Sequence, residues 1–300
     1  MSERKKISET IKKLLENSKC DNPALLFNKL LVHKLSANGQ EVRNNEFLKE
    51  FTKLIARNFS EHLNLFLKKM VNSLPCSKTF KVTTGYRLAI GLGYTSFIEN
   101  GFLFHHTYGI PYIPGETLKG LTRSVFLISA YEKVKNEVEF VSDLEEYLMD
   151  EEKNSVKELL NSQTVEIVFT EEKIEKPYDF FVKVFGTQKK RGEVVFFDAY
   201  PEDFNEDYFE IDIMNPHYQK YYTEKGKEPP ADWYNPVPIH FLTLREGVVF
   251  NVCLGTAPLE KSLEDKELEI VKTLLTVGLE NFGVGAKTRK GYGWFEIQSE

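Results

Sequence analysis

A glycine-rich, basic run near the end of the 300-residue sequence has the composition of a phosphate-binding loop. Gly283–Gly293 reads GVGAKTRKGYG and holds four glycines, three cations and no acid. The cations are Lys287, Arg289 and Lys290. Glycine allows positive φ angles and a close approach of the backbone to another molecule. Bare backbone amides beside cations commonly hold phosphates, so we predict a phosphate contact here.

The spacing within this run counts against a nucleotide-binding loop. A P-loop needs glycine directly before its Lys-Ser/Thr pair, but Ala286 precedes Lys287 and Thr288. In a dinucleotide fingerprint that starts at Gly283, Thr288 would stand where the third glycine belongs. The plain alternative is a helix-to-strand turn with solvated cations, because glycine-rich turns are common.

A helix and a strand are predicted to position the run. The helix begins at a capping box formed by Ser262 and Asp265, and its apolar stripe extends to Gly278. The strand covers Gly291–Ile297. This order, helix then loop then strand, is the reverse of the order around a P-loop.

A second basic pair stands at the start of another predicted helix. Lys119 and Arg123 lie four residues apart, on one side of a helix that we expect to begin near Thr117. The preceding segment, Gly109–Gly115, contains two prolines and turns the chain. The positive end of the helix would favour phosphates beside both side chains. The alternative is an exposed lysine and an arginine paired with a surface acid.

A histidine pair could supply acid–base chemistry. A histidine general base can activate a ribose 2′-hydroxyl and cleave RNA without a metal. His105 and His106 are adjacent on predicted extended chain, so at most one of them faces a given site. Packing or an RNA contact is the other role open to His105. No metal or other cofactor is expected, because paired cysteines and HxxxH spacing are lacking.

Composition is typical of a globular protein without a membrane segment. Hydrophobic residues make up 41% and aromatic residues 13% of the sequence. No apolar run approaches the ~20 residues of a membrane helix, and no apolar stretch follows the basic N-terminus. Cys20, Cys76 and Cys253 are odd in number and far apart, which favours the reducing cytoplasm.

Charge is distributed unevenly along the chain, whose net charge is −6. Residues 1–77 carry 14 Lys/Arg and 8 Asp/Glu, whereas the remainder carries 25 and 37. This asymmetry favours one face for an anionic ligand and other faces for protein neighbours. An ordinary solvated surface explains the excess of acidic residues after residue 77 equally well.

Hydrophobic periodicity changes from helical to alternating near Phe80. Residues 1–77 show helical stripes, so we predict a helical N-terminal extension. Residues 78–300 then mix strands and helices, with insertions near 136–160 and 215–236. The second insertion is rich in prolines and aromatics, which favours docking to protein over base stacking. This α+β pattern is compatible with an elaborated ferredoxin-like or RNA-recognition-like sheet.

Individual elements of the second part follow from the same patterns. The expected strands are residues 81–90, 164–169, 180–185, 192–199 and 208–213. An acidic helical pattern covers residues 143–160. A hairpin is expected from residues 237–244 and 247–254, with Arg245-Glu-Gly at its turn.

Several motifs resemble those of the RAMP superfamily of CRISPR proteins. The segment Tyr108–Gly115 reads YGIPYIPG and continues through Thr117 to Arg123 like that superfamily's signature, and Gly283–Gly293 resembles its glycine-rich loop. Further segments resemble the family of sixth Cmr subunits of type III-B effector complexes: His105–Gly109, Met214–Tyr222 and Asn235–Leu242. The resemblance covers residues 78–300.

The resemblance implies a RAMP ferredoxin-like domain that acts as a non-catalytic, RNA-binding structural subunit in antiviral defence. It implies contacts with the 3′ part of the CRISPR RNA, with target RNA in the complex, and with other Cmr subunits, notably the backbone and first subunits. The predicted RNA-binding residues are Lys119, Arg123, Gly283, Gly285, Lys287, Thr288, Arg289, Lys290 and His105.

The alternative function is a metal-independent CRISPR endoribonuclease of the same superfamily. Related backbone subunits cut target RNA with an aspartate in the loop after the first strand. Here the corresponding loop, residues 91–100, contains Glu99 and no aspartate. We therefore expect no target cleavage by this chain, which is predicted not to be an enzyme.

Overall fold

The structure is a computed structural model in which the residues fall into two compact units. The residues that it describes are 22–30, 44–54, 60–96, 100–150, 154–204, 206–216, 221, 227, 229, 236, 238–257 and 263–298. The larger unit comprises residues 60–87, 112–202 and 246–300. The smaller unit comprises residues 1–59, 88–111 and 203–245.

The described part of the chain folds into seven helices, four short helical segments and nine strands. The helices are α1 (Asn44–Leu54), α2 (Ser60–Asn72), α3 (Gly115–Val134), α4 (Val141–Met149), α5 (Asn154–Asn161), α6 (Pro177–Phe185) and α7 (Asp265–Asn281). Short helical segments cover Pro23–Leu25, Leu26–Leu30, Glu206–Tyr208 and Thr288–Lys290. The strands are β1 (Ser77–Thr84), β2 (Thr164–Glu166), β3 (Lys173–Glu175), β4 (Val194–Phe196), β5 (Tyr200–Pro201), β6 (Phe209–Met214), β7 (Ile239–Leu244), β8 (Val249–Thr256) and β9 (Phe295–Ile297).

An antiparallel sheet forms the centre of the larger unit. Its strand order is β4-β8-β1-β9, and β5 also pairs with β8. Helix α3 lies between β1 and β4 in the chain, and α7 lies between β8 and β9. The prediction of an α+β fold is therefore confirmed.

Alternating burial along β1 shows which face of the sheet the helices cover. Phe80 and Val82 are buried, whereas Thr79 and Lys81 are exposed. The ammonium of Lys272, on α7, lies 5.7 Å from the centre of the Phe80 ring. Helix α7 therefore packs on the apolar face that the period-2 pattern of β1 creates.

Phenylalanine side chains form the core of the smaller unit. Strands β6 and β7 pair antiparallel, with Phe209 opposite Leu244. The Phe209 ring lies 5.6 Å from that of Phe51, on α1, and 5.8 Å from that of Phe104. Leu88 extends this small sheet through a bridge to Leu244. Aromatic pairs at these distances add to the stabilisation gained from burial alone.

The strand predicted at residues 180–185 is wrong, because this segment belongs to α6. Pro177 stands in the first turn of that helix, where a proline is well tolerated. The buried side chains recur at helical rather than alternating spacing: Phe180, Phe181, Val184 and Phe185. A short apolar run of this kind does not distinguish helix from strand by periodicity alone.

The hairpin predicted from residues 237–244 and 247–254 is also wrong. Strand β7 pairs with β6, while β8 pairs with β1 and β4. The backbone of Leu244 bonds to Leu88, and the amide of Gly247 donates to the carbonyl of Thr84 at 2.8 Å. A turn signal shows that the chain reverses, but not which strand each arm pairs with.

Other element boundaries differ from the predicted ones. Strand β1 ends at Thr84 instead of continuing to residue 90, and the segment 164–169 contributes only three residues to a β2–β3 hairpin. The acidic pattern at 143–160 forms α4 and α5. The order helix, loop, strand at the C-terminus is confirmed by α7 and β9.

Helix α7 begins two residues later than the predicted capping box implies, at Asp265, and its cap is Glu264. The amide of Glu264 donates to the carboxylate of Glu267 at 2.9 Å, whereas Ser262 lies outside the described residues. A Cβ at Gly278 would lie 2.7 Å from the Leu121 side chain. The glycine that ends the predicted stripe therefore allows α7 to approach α3 closely.

Several predicted features lie outside the residues that the structure describes. They include residues 1–21 of the predicted helical extension and most of the insertion near 215–236. Described helices within residues 1–77 are the Pro23–Leu30 segment, α1 and α2. The domain boundary between residues 77 and 78 stays a prediction.

Candidate nucleic-acid interface

All four glycines of the run Gly283–Gly293, called here the glycine loop, adopt positive φ angles. The values are 74° at Gly283, 91° at Gly285, 90° at Gly291 and 70° at Gly293. Lys287 is also left-handed, with φ at 61°. Residues with a Cβ seldom adopt this conformation, so the backbone path itself explains the glycine content.

The base of the glycine loop is closed and fixed to the end of β1. The Val284 amide donates to the Gly293 carbonyl at 2.9 Å, and a Cβ at Gly293 would lie 1.8 Å from the Val284 carbonyl oxygen. The Gly293 amide donates to the carbonyl of Arg87 at 2.8 Å. The Gly85 amide donates to the carbonyl of Trp294 at 3.0 Å. These bonds hold the loop beside the residues that follow β1.

The polar side chains of the glycine loop are accessible to a ligand. Arg289 and Lys290 are exposed, and Lys287 and Thr288 are partly exposed. Residues Thr288–Lys290 form a single 3-10 turn that ends at Gly291. Three cations within four residues create a locally positive potential, which attracts phosphates.

Exposed aromatic side chains that are not among the predicted site residues flank the glycine loop. Tyr86 and Trp294 are each 38% exposed, and the Tyr86 ring lies edge-on to Tyr292 at 5.4 Å. The Arg87 guanidinium lies 5.9 Å from the centre of the Tyr86 ring. A Cβ at Gly85 would lie 2.2 Å from the Trp294 ring, so the indole covers this glycine directly. Exposed rings beside cations are surfaces on which bases stack.

These flanking residues escaped prediction because residues 81–90 were expected to form one strand. The ladder of β1 with β9 ends at Thr84, opposite Phe295, and brings Gly85, Tyr86 and Arg87 next to the glycine loop. The available signal was Gly85 itself, a glycine that interrupts the alternating pattern before an aromatic and a cation.

Lys119, on α3, forms a hydrogen bond within the chain to the end of α6. Its Nζ donates at 3.0 Å to the carbonyl of Phe185, the last residue of α6. Burial, followed by the charges of Arg123 and Arg191, lowers the pKa of Lys119. A cation at the carboxyl end of a helix is favourable, so this side chain stabilises α6. Its predicted phosphate contact stays a prediction.

Arg123 and the N-terminus of α3 also have partners within the chain. Arg123 Nη2 lies 3.0 Å from Glu145 Oε1 on α4. The amide of Gly115 donates to Asp198 Oδ1 at 2.8 Å, and a Cβ at Gly115 would lie 2.1 Å from the carbonyl oxygen of Phe196. A phosphate at this helix end would compete with two carboxylates. The prediction that Arg123 contacts RNA remains untested.

Replacing Lys119 by methionine is expected to lower the free energy of unfolding by about 0.5–1.5 kcal/mol, because the hydrogen bond to Phe185 is lost while burial and two neighbouring cations oppose the charge. Arg123→Met should cost no more than about 1 kcal/mol, since the partners of an accessible ion pair remain solvated. Urea unfolding measures both changes. Lys133→Met, at an exposed lysine on the same helix, is the control. Equal stability of the Lys119 and Lys133 variants would contradict the capping role.

His105 belongs to the smaller unit, whereas the glycine loop belongs to the larger one. The backbone amide of Tyr108 donates to His105 Nδ1 at 3.3 Å, and the two rings lie 5.1 Å apart. The amide of Gly109 donates to the His105 carbonyl at 2.7 Å. His105 thus helps to shape a tight turn, and its RNA contact stays a prediction. His106 is exposed.

The described part of the chain contains neither a candidate membrane span nor a cluster of metal ligands. None of the helices described there is long and apolar enough to span a membrane. The same residues contain no group of three or more His, Cys, Asp or Glu side chains that could hold a metal ion.

The architecture and the glycine loop correspond to a known class of proteins. A sequence model described as the RAMP superfamily matches residues 79–296. The chain belongs to the RAMP superfamily, as its motifs predicted.

Within that superfamily, two curated relatives confirm the resemblance to sixth Cmr subunits. The CRISPR system Cmr subunit Cmr6 of Pyrococcus furiosus is 39% identical over 240 residues, which cover 75% of this chain and 68% of the relative. The CRISPR system CMR subunit Cmr6 of Saccharolobus solfataricus is 26% identical over 289 residues, or 92% of this chain and 80% of the relative.

The chain is also similar to two solved structures. The crystal structure of Cmr6 from Pyrococcus furiosus has a TM-score of 0.49 at 36% identity and covers 74% of this chain and 98% of its own. A chain of the cryo-EM structure of the type III-B Cmr-beta bound to cognate target RNA has a TM-score of 0.54 at 19% identity. It covers 98% of this chain and 97% of its own, which shows a shared fold.

Proposed function

We propose that the chain is a non-catalytic, RNA-binding subunit of a type III-B CRISPR effector complex and holds the 3′ part of the CRISPR RNA. Membership of the RAMP superfamily and similarity to two Cmr6 relatives support its place in such a complex. One observation carries the RNA-binding role. The glycine loop presents Lys287, Arg289 and Lys290 beside the exposed rings of Tyr86 and Trp294.

This arrangement suits RNA whose sequence is not fixed in advance. Phosphate contacts from the loop cations position a strand without reading its bases. Stacking on Tyr86 or Trp294 tolerates any base, because every base has an aromatic face. An RNA-guided complex needs such sequence-independent contacts, since base pairing of the guide supplies the specificity.

The proposed domain is ferredoxin-like, carried by residues 78–300, with residues 1–77 as a helical extension. Two strand–helix–strand connections, from β1 to β4 and from β8 to β9, support this assignment. In a ferredoxin-like sheet the first and second strands in chain order lie on either side of the third. Here β1 and β4 lie on either side of β8. The Pro23–Leu30 segment, α1 and α2 support the extension.

The proposed partners are the CRISPR RNA, target RNA within the complex, and the backbone and first Cmr subunits in the cytoplasm. The absence of catalysis is part of the proposal. His105 Nδ1 accepts a backbone hydrogen bond from Tyr108, which orients the ring within a turn. That bond gives the ring a structural role that needs no reacting group.

Co-purification of the chain with the subunits encoded beside it tests this function. We expect the complex to retain CRISPR RNA and to protect its 3′ part from added nuclease. A complex assembled without this chain should lose that protection selectively, because the loop that covers the 3′ part is missing. Sequencing of the protected fragments measures the position of the loss.

Two results would contradict the proposal. One is a complex whose 3′ protection is unchanged when this chain is omitted. The other is shortening of labelled CRISPR RNA by the purified chain in EDTA, if His105→Ala or His106→Ala abolishes the cleavage. That second result would favour the endoribonuclease alternative.

A further inference from the structure

The turn between β2 and β3 presents a strained and strongly exposed phenylalanine. Phe169 has a φ of 64°, and 73% of its surface is exposed. The left-handed region is unfavourable for a residue with a bulky side chain. Exposure of a large apolar ring in such a conformation contributes nothing evident to folding, which suggests a function for the ring.

The surrounding contacts fix this conformation. The amide of Ile167 donates to the carbonyl of Glu172 at 2.9 Å, and the amide of Thr170 donates to the carbonyl of Ile167 at 3.1 Å. The amide of Val168 donates to the hydroxyl of Ser129, a buried residue of α3, at 3.2 Å. The backbone on both sides of Phe169 is therefore fixed by hydrogen bonds.

A second exposed ring enlarges the apolar surface. Phe282, directly after α7, is 37% exposed, and its ring centre lies 6.2 Å from that of Phe169. The two rings form what we call the Phe169–Phe282 patch. Aromatic side chains that are already ordered are typical anchors of protein interfaces.

The charges around Phe169, the more exposed ring of the patch, favour a protein partner over RNA. Exposed glutamates on the hairpin and the last turn of α7 outnumber the exposed lysines of the hairpin. The glutamates are Glu166, Glu171, Glu172, Glu175 and Glu280, and the lysines are Lys173 and Lys176. A negative rim repels phosphates and attracts a basic surface.

We infer that the Phe169–Phe282 patch docks a neighbouring subunit of the effector complex, through an apolar pocket rimmed by lysine or arginine. This inference rests on the proposed function, because it needs the chain to assemble into a complex. Phe169 enters the pocket as the anchor, and the glutamates pair with the rim.

The test is Phe169→Gly, measured as affinity for a subcomplex of the remaining subunits that lacks this chain. Glycine adopts a φ of 64° without strain, so the thermal midpoint of the isolated chain should not fall. Affinity for the subcomplex should fall at least tenfold. Phe140→Ala, at a phenylalanine that is 58% exposed in the same unit, should leave affinity unchanged. Glu171→Lys combined with Glu172→Lys should also weaken assembly.

The outcomes separate this inference from the proposed function. A wild-type chain that does not join the subcomplex overturns both. A wild-type chain that joins, with Phe169→Gly joining equally well, overturns the docking role alone. The same holds if Phe169→Gly weakens binding of single-stranded RNA to the isolated chain, because the occupant would then be RNA.

Discussion

Removing the three cations of the glycine loop should greatly reduce the salt dependence of RNA binding. The variant is Lys287→Ala, Arg289→Ala and Lys290→Ala in one chain. If each side chain neutralises one phosphate of a single strand, each contributes about −0.7 to the slope of log affinity against log salt. The triple variant should therefore have a slope about two units shallower than the wild type.

This change in slope corresponds to a large difference in affinity. When salt rises from 50 to 200 mM, the factor by which RNA affinity falls should be about 20 times larger for the wild type than for the variant. The effect should be the same for RNAs of different sequence, because phosphate contacts carry no base information. Binding of labelled CRISPR RNA over a salt series measures it.

A matched triple variant controls for net charge. Lys189, Lys190 and Arg191 are three exposed cations in another loop of the larger unit. Their replacement by alanine removes the same charge and should leave the slope nearly unchanged. Equal slopes for the wild type and the glycine-loop variant would show that the cations are only solvated turn residues.

The glycine loop was predictable because its signal is local. Positive φ angles at Gly283, Gly285, Gly291 and Gly293 are properties of the backbone that glycine alone tolerates well. The helix before the loop and the strand after it also have strong local patterns, and both are present as α7 and β9. No long-range information was needed.

Side-chain partners distant in sequence could not be predicted in this way. Lys119 is bonded to Phe185 and Arg123 to Glu145, and nothing in the sequence around α3 specifies either partner. The same limit applies to Tyr86, which reaches the glycine loop only because β1 pairs with β9. The wrong hairpin at 237–254 has the same cause, because strand partners are chosen by the whole sheet.

Gly293→Ala should have the largest effect of any single substitution in the glycine loop. Its φ of 70° alone should cost about 1–2 kcal/mol with alanine. The added Cβ would also lie 1.8 Å from the Val284 carbonyl oxygen, where backbone must move to make room. Overpacking of this kind costs typically about 1–3 kcal/mol more.

Opening this contact would disturb the whole loop base. The Val284 amide bonds to the Gly293 carbonyl, and the Gly293 amide bonds to the Arg87 carbonyl. The first bond closes the loop base, and the second fixes it to the residues that follow β1. Distortion of these bonds should therefore displace the cations from the aromatic side chains. We expect RNA affinity to fall at every salt concentration. For a given loss of affinity, the slope of log affinity against log salt should change less than in the triple variant.

Gly247→Ala separates the free-energy cost of a positive φ angle from that of the steric clash expected at Gly293. Gly247 has a φ of 83°, and nothing lies within 4 Å of the Cβ position. This variant should lose about 1–2 kcal/mol of unfolding free energy and bind RNA like the wild type, because only the left-handed backbone is penalised. Denaturant unfolding measures the stability of both variants, and RNA titration measures their affinity. If Gly293→Ala proves no less stable than Gly247→Ala and retains wild-type affinity, the closed loop base does not position the RNA-binding residues.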